Sequence, residues 1–175
     1  MPAMLHDIVI VQFVKMLQNL SLCLDKAAAH AASKKFEPTV LLGSRLAPDQ
    51  FTLLRQIQIA CDTAKSGAAQ LTSKDAPTHE DREATLDEAK ARIAKVIEYL
   101  GTFSAKDFAG AEARRISQPR WAGKSLSGSQ YAQQHLIPNF YFHVTTAYAI
   151  LRHNGVDLGK KDYLGPMPFQ DPASA

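Results

Sequence analysis

Between Val9 and Ala31 the apolar residues recur in steps of three and four: Val9, Phe13, Met16, Leu17, Leu20, Leu24, Ala27, Ala28 and Ala31. That period is the signature of an amphipathic helix, and the spacing predicts one from about Leu5 to Lys34, roughly seven or eight turns long. A helix of that length cannot bury its stripe alone. It needs partner helices, and the rest of the chain supplies them.

A short turn is expected from Pro38 to Leu42, ended by Gly43. A second long helix is expected from about Asp49 to Leu71, because Pro48 and Asp49 suit a first turn. Its stripe is Phe51, Leu54, Ile57, Cys61, Ala64 and Ala68. The acidic group Glu80, Asp81 and Glu83 suggests a third start, giving a helix from about Asp81 to Leu100 with Gly101 as its stop. Thr102 to Ser127 loses the helical period. It carries a short amphipathic piece near Phe108 and residues for a small hairpin around Pro119, Arg120 and Trp121. A fourth helix is expected from about Ser129 to His153, kinked or split at Pro138 and stopped by Asn154 and Gly155. The tail from Val156 to Ala175 holds Pro166, Pro168 and Pro172 and shows no period. Tyr163, Leu164, Met167 and Phe169 are its candidates for packing back.

Four long amphipathic helices with little strand predict an all-α four-helix bundle with a long irregular connection before the last helix. At 175 residues, with 46% apolar and 21% charged, the chain reads as one globular domain, 1–175, with 156–175 a non-helical tail on the bundle. The formal charge is only +3, which does not by itself imply nucleic acid. The nearest basic group is Arg114, Arg115, Arg120 and Lys124, for which a solvated loop is a plainer reading than a phosphate patch. Cys23 and Cys61 each fall in a helical pattern, so free, buried, reduced thiols are expected, as suits a cytoplasmic protein. Gln12 and Lys15 break the first apolar run, and neither a secretory signal nor a membrane span is expected.

At about 100° per residue, Phe140, His143, Val144, Ala147, Ile150 and Leu151 share one face of the fourth helix. His143 is then a hydrogen-bonded core residue or a ligand. On the second helix Gln58 lies inside the stripe, Asp62 at its edge and Arg55 beside it. If the two helices face each other, His143 with Gln58 or Asp62 makes a buried polar cluster, either structural or the wall of a pocket. Tyr141 and Tyr148 sit off the main stripe, where they could line a groove. No H-x-x-x-H, H-E-x-x-H, G-x-S-x-G, P-loop or G-x-G-x-x-G is present. No metal or other cofactor is therefore expected. His143 is the one weak candidate for a divalent ion.

Three blocks are distinctive: Leu46-Ala47-Pro48-Asp49-Gln50-Phe51 with Arg55-Gln56-Ile57-Gln58-Ile59-Ala60-Cys61-Asp62; Pro138-Asn139-Phe140-Tyr141-Phe142-His143-Val144-Thr145-Thr146-Ala147-Tyr148 running on to Val156; and Gly159-Lys160-Lys161-Asp162-Tyr163-Leu164-Gly165. Together they resemble an uncharacterised bacterial and fungal family catalogued as a domain of unknown function. That family is similar to the DinB/YfiT-like superfamily, assigned as metalloenzymes. The resemblance implies an up-down-down-up bundle, often dimeric, with a divalent metal on three His and, in some members, thiol-dependent transfer. Residue by residue, His143 matches the first His of the last helix, and Ala147 stands at the second. The region of helix two holds Gln58, Cys61 and Asp62 and no His.

Two functions follow as expectations. One is a dimeric binding-type protein with a small-molecule pocket lined by His143, Gln58, Asp62, Arg55 and Tyr148, with no nucleic-acid or membrane partner. The other is a metal- or thiol-dependent transferase- or hydrolase-like enzyme using the same pocket.

Overall fold

The computed structural model describes residues 2–171. The chain is mostly helical with one small two-stranded sheet. α1 (Pro2–His6) passes through one π-helical turn (Asp7–Val11) into α2 (Gln12–Lys34) without leaving helical backbone angles. Lys35 ends it in the left-handed region, its N–H returning to the carbonyls of Ala31 and Ala32. The stripe read from sequence is buried from Val9 to Ala31 apart from Ala28, which is half-buried. Contrary to expectation, Ala3–Lys34 is long and apolar enough to cross a membrane by length and composition, with a mean hydropathy of 1.4 over its window. Half of that window is buried inside the protein. Gln12 is uncharged and Lys15 is a single cation, so neither takes the segment out of that range.

α3 (Thr39–Leu42) follows Pro38 as expected. α4 (Leu53–Thr72) begins later than the sequence suggests: Thr52, with extended backbone, accepts a hydrogen bond from the Arg55 N–H and caps it. Pro48 and Asp49 belong instead to a turn closed by the Gln50 N–H on the Ala47 carbonyl, and Phe51 is exposed rather than in the stripe. α5 (Leu86–Leu100) also starts late. Thr85 and Glu88 form a capping box, so Glu80, Asp81 and Glu83 lie before the helix. Gly101 is its stop.

The long connection makes two 3₁₀ turns and then β1 (Arg115–Ser117) and β2 (Ser125–Ser127), antiparallel with Ile116 opposite Leu126. Ser127 then caps α6 (Gly128–Tyr131) in a box with Gln130. A π-helical turn (Ala132–Leu136) leads into α7 (Ile137–His153). Pro138 does not break the helix. The wider turn before it closes with the Ile137 N–H on the Ala132 carbonyl, and Pro138 falls in the first turn of α7, where its missing N–H leaves no gap.

The tail is not wholly without helix: α8 (Lys160–Leu164) forms one turn. It is tied down by Asn19 donating to the Tyr163 carbonyl at 2.9 Å, by Lys26 to Asp162 at 2.7 Å and by Thr145 to the Tyr163 hydroxyl at 2.9 Å. Gly165 needs its missing side chain twice over: its φ is +65°, and a Cβ would sit 2.3 Å from the Asn19 carboxamide. Phe169 is exposed and does not pack back, Met167 is exposed and reaches the bundle through its Sδ, 3.7 Å from Lys15 Nζ, and Pro172 lies outside the described residues.

α4 packs between α5 and α7, and α2 also contacts both. Phe13 of α2 stacks on Phe140 of α7 with ring centroids 3.9 Å apart. Cys23 and Cys61 are buried and free.

Candidate functional site

Because α4 has a neighbour on each side, it buries polar residues on two faces. Gln56 and Gln58, about 200° apart on the helix, are both buried. This divides the expected cluster in two.

On the α7 side, His143 is 7% exposed and its Nδ1 lies 2.6 Å from Gln56 Oε1. A carboxamide oxygen only accepts, so Nδ1 carries the proton. The Gln56 amide donates in turn to the Phe51 carbonyl at 3.3 Å. The expected partners, Gln58 and Asp62, point the other way. No carboxylate holds the imidazole charged. Burial and then the Arg55 charge push its pKa below the ordinary value, so it is neutral at pH 7.

On the α5 side, Arg92 is the hub, its side chain 2% exposed. Its Nη2 meets Asp62 Oδ1 at 2.9 Å, and its Nη1 meets Asp81 Oδ1 and Glu83 Oε1, each at 3.0 Å, and the Glu80 carbonyl at 3.2 Å. Gln58 donates to Glu83 Oε2 at 2.9 Å and accepts from Arg55 at 3.1 Å; Arg55 also pairs with Asp81. Buried Lys65 reaches Asp62 Oδ1 at 3.0 Å. Three cations thus balance three carboxylates, and the acids that resembled a helix start are the clasp that draws the connector 80–83 onto α4 and α5. Burial alone would raise the Glu83 carboxyl. The bonds from Gln58, its own backbone and Arg92 outweigh it and hold the pKa below the usual range.

A cleft of about 450 Å³ opens beside this hub, lined by His79, Glu80, Arg82, Glu83, Arg92 and Lys95 among others. His79 is kept neutral first by burial and then by the charges of Lys65, Arg92 and Lys95. Among the described residues its buried Nδ1 has no partner, and neither does Arg92 Nε. The glutamates in the wall are already engaged: Glu80 with Arg82 at 2.7 Å, Glu83 with Arg92, and Glu88 with the backbone N–H groups of Ala84 and Thr85.

Of the residues read as pocket-lining, Arg55, Gln58 and Asp62 therefore converge, but on Arg92 rather than on His143. Tyr148 is elsewhere, edge-on to Tyr163 at 5.7 Å. Sequence reasoning missed Gln56, Arg92 and His79. Arg92 had a readable signal, since it lies three residues after Ala89 and four before Val96, inside the stripe of α5. Gln56 had none, because one-face projection places it outside the stripe.

The residues do not fit the three-His metal centre that the superfamily resemblance implies. His143 is hydrogen-bonded to an amide, Ala147 is buried one turn on, and among the described residues no group of three His, Cys, Asp or Glu side chains is arranged to hold a metal ion, the three carboxylates around Arg92 being spent on its guanidinium. Cys61 is no better suited to thiol chemistry, since burial pushes its pKa up to about 12.

A mostly helical chain with a buried His–Gln pair and an arginine-centred clasp is the class that fold and site define. The chain belongs to a family described as a domain of unknown function, DUF1993, which matches residues 5–164. It is similar to a DinB family member protein from Shewanella denitrificans with a solved crystal structure, at 59% identity over 98% of this chain and 97% of that one, TM-score 0.95. The family thus lies within the DinB-like superfamily. No curated protein matches the chain significantly.

Proposed function

We propose that this protein is a binding-type member of the DinB-like superfamily, built as an up-down-down-up four-helix bundle and acting as a homodimer. Its ligand is a small polar or anionic molecule held in the cleft beside Arg92. The observation that carries this reading is the cleft wall itself. His79 and Lys95 face it with polar groups not spent on carboxylates, while the acidic side chains there are already engaged. A cleft of this volume suits a small ligand. His143 is a register-fixing core residue rather than the pocket's ligand, since its bond is made to Gln56. The alternative, a metal- or thiol-dependent enzyme, draws no support from the donor set around His143 or from the Cys61 thiol.

The test is a small-anion screen by thermal shift on the untagged protein, followed by His79→Ala, Lys95→Gln and His143→Ala variants. Hits abolished by the first two and kept by His143→Ala support the reading. Hits that depend on His143 alone, or a transition metal retained near one per chain, overturn it. Light scattering across micromolar concentrations tests the dimer.

A further inference from the structure

The hairpin tip carries a basic group that the clasp does not absorb. Among the described residues no carboxylate lies within 4 Å of the cationic groups of Arg114, Arg115, Arg120 or Lys124. Arg114 is spent on the Leu71 carbonyl at 2.7 Å, and Arg115 Nε donates to Ser125 Oγ at 2.8 Å. Arg120 and Lys124 remain, and they line a cleft of about 440 Å³ together with Trp121, Ala122, Ser125 and Leu126. No acidic residue is in that wall.

Arg120 is held in place in an unusual way. Its Nη2 lies 2.6 Å from His135 Nε2. A guanidinium has no acceptor, so Nε2 must present its lone pair and the imidazole must be neutral, with its proton on Nδ1. Burial and the Arg120 charge both keep it so. His135 is itself fixed, stacked on Tyr131 at 5.5 Å and edge-on to Trp121 at 5.4 Å. A carboxylate in its place would orient the guanidinium equally well but cancel its charge. A neutral acceptor orients it and leaves the charge available. The tip backbone adds to this. A 3₁₀ turn, Pro119–Trp121, is followed by Ala122 at φ 49° and Gly123 at φ 81°. A right-handed residue followed by a left-handed one forms a concavity suited to anions, and with the Trp121 and Lys124 N–H groups already donated to the Gln118 and Trp121 carbonyls, those of Ala122 and Gly123 are the ones left to line it.

We propose that the hairpin tip is a second binding site, for a small aromatic anion whose phosphate or carboxylate meets Arg120 and Lys124 and whose flat ring lies against Trp121. His135 is a positioning residue that orients Arg120 without neutralising it.

Trp121 is the chain's single tryptophan, so its indole N–H gives one NMR cross-peak that reports on the site. The probe is phenyl phosphate, with inorganic phosphate and phenol as separate arms. Phenyl phosphate is expected to shift the peak saturably at millimolar concentration or below, more tightly than either half alone. Arg120→Gln weakens it about tenfold, as loss of one charged hydrogen bond does, and Lys95→Gln leaves it unchanged. His135→Gln, another neutral acceptor, keeps the affinity within about twofold, while His135→Asp lowers it about tenfold. Circular dichroism establishes that each variant is folded. The proposal is overturned if phenyl phosphate gives no saturable shift, if Arg120→Gln binds as well as the parent, or if inorganic phosphate matches phenyl phosphate. Equal affinities for the His135→Gln and His135→Asp variants overturn the positioning role.

Discussion

His143 Nδ1 and Gln56 Oε1 sit 2.6 Å apart between α7 and α4, both side chains buried. The pair joins two helices whose apolar faces could otherwise slide by a residue. Removing either partner strands the other in the core. Replacing His143 or Gln56 with Ala should each cost about 1–3 kcal/mol in urea unfolding. The double variant should cost clearly less than the sum, because the lost bond is counted once. Gln58→Ala should add to His143→Ala without coupling, since Gln58 bonds Arg55 and Glu83 instead. Strong coupling of His143 to Gln58 would contradict the pairing.

Arg92→Met should destabilise at least as much as a typical single truncation of the His143–Gln56 pair. It leaves Asp62, Asp81 and Glu83 facing one another without their shared cation. Breaking a fully buried pair costs about 3–5 kcal/mol. Asp62 and Asp81 are 37% and 41% exposed, so water takes up part of the loss and about 2–3 kcal/mol is expected. Protease cleavage within 78–83 should accelerate in the variant, because the connector loses its clasp. Unchanged cleavage would show that the connector is held by other contacts.

Stability should fall as pH drops from neutrality. His79, His135 and His143 all have folded pKa values pushed below the ordinary 6.5. Between the lowered folded values and 6.5 the unfolded chain binds more protons, so stability rises with pH across that window. Their contribution is complete above 6.5 and is lost as pH falls toward the folded values. Thermal melts at pH 7.5 and 5.5 should differ by several degrees, and His143→Gln should reduce the difference. A flat profile would be incompatible with three neutral, desolvated histidines.

Zinc or nickel should neither raise the melting temperature nor copurify stoichiometrically with untagged protein. One imidazole bonded to an amide, with Ala147 where a second donor would stand, cannot assemble a closed coordination shell. Elemental analysis finding one ion per chain, lost in His143→Ala, would reverse this.

Gly128→Ala should destabilise by about 1–3 kcal/mol, as overpacking does. An added Cβ would lie 1.8 Å from the Ala111 carbonyl oxygen, and backbone cannot turn aside as a side chain can. A thermal melt of the variant checks this; one matching the parent would mean that the 3₁₀ turn at Ala111–Ala113 moves freely.

The local physics was legible in the chain itself. Step-three-and-four spacing identified the stripe of α2, and Gly101 and Gly155 marked helix stops. These depend on neighbours a few residues away, which the sequence displays directly. The starts of α4 and α5 went to Thr52 and Thr85 instead of the acidic and proline signals upstream. A carboxylate near a helix N-terminus gains a few tenths of a kcal/mol from the dipole, whereas a buried guanidinium at 3.0 Å offers Asp81 and Glu83 more. That competitor lies on another turn of chain and appears only when α5 folds back. The same holds for the polar pair. Whether His143 meets Gln56, Gln58 or Asp62 depends on which faces of α4 are covered. α4 lies between α5 and α7, so it has two buried faces, and a projection that allows one cannot sort its glutamines. Periodicity settles the apolar stripe of a helix with one covered face, such as α2; only the packing of helix against helix settles which polar residues of α4 leave water and what each finds there.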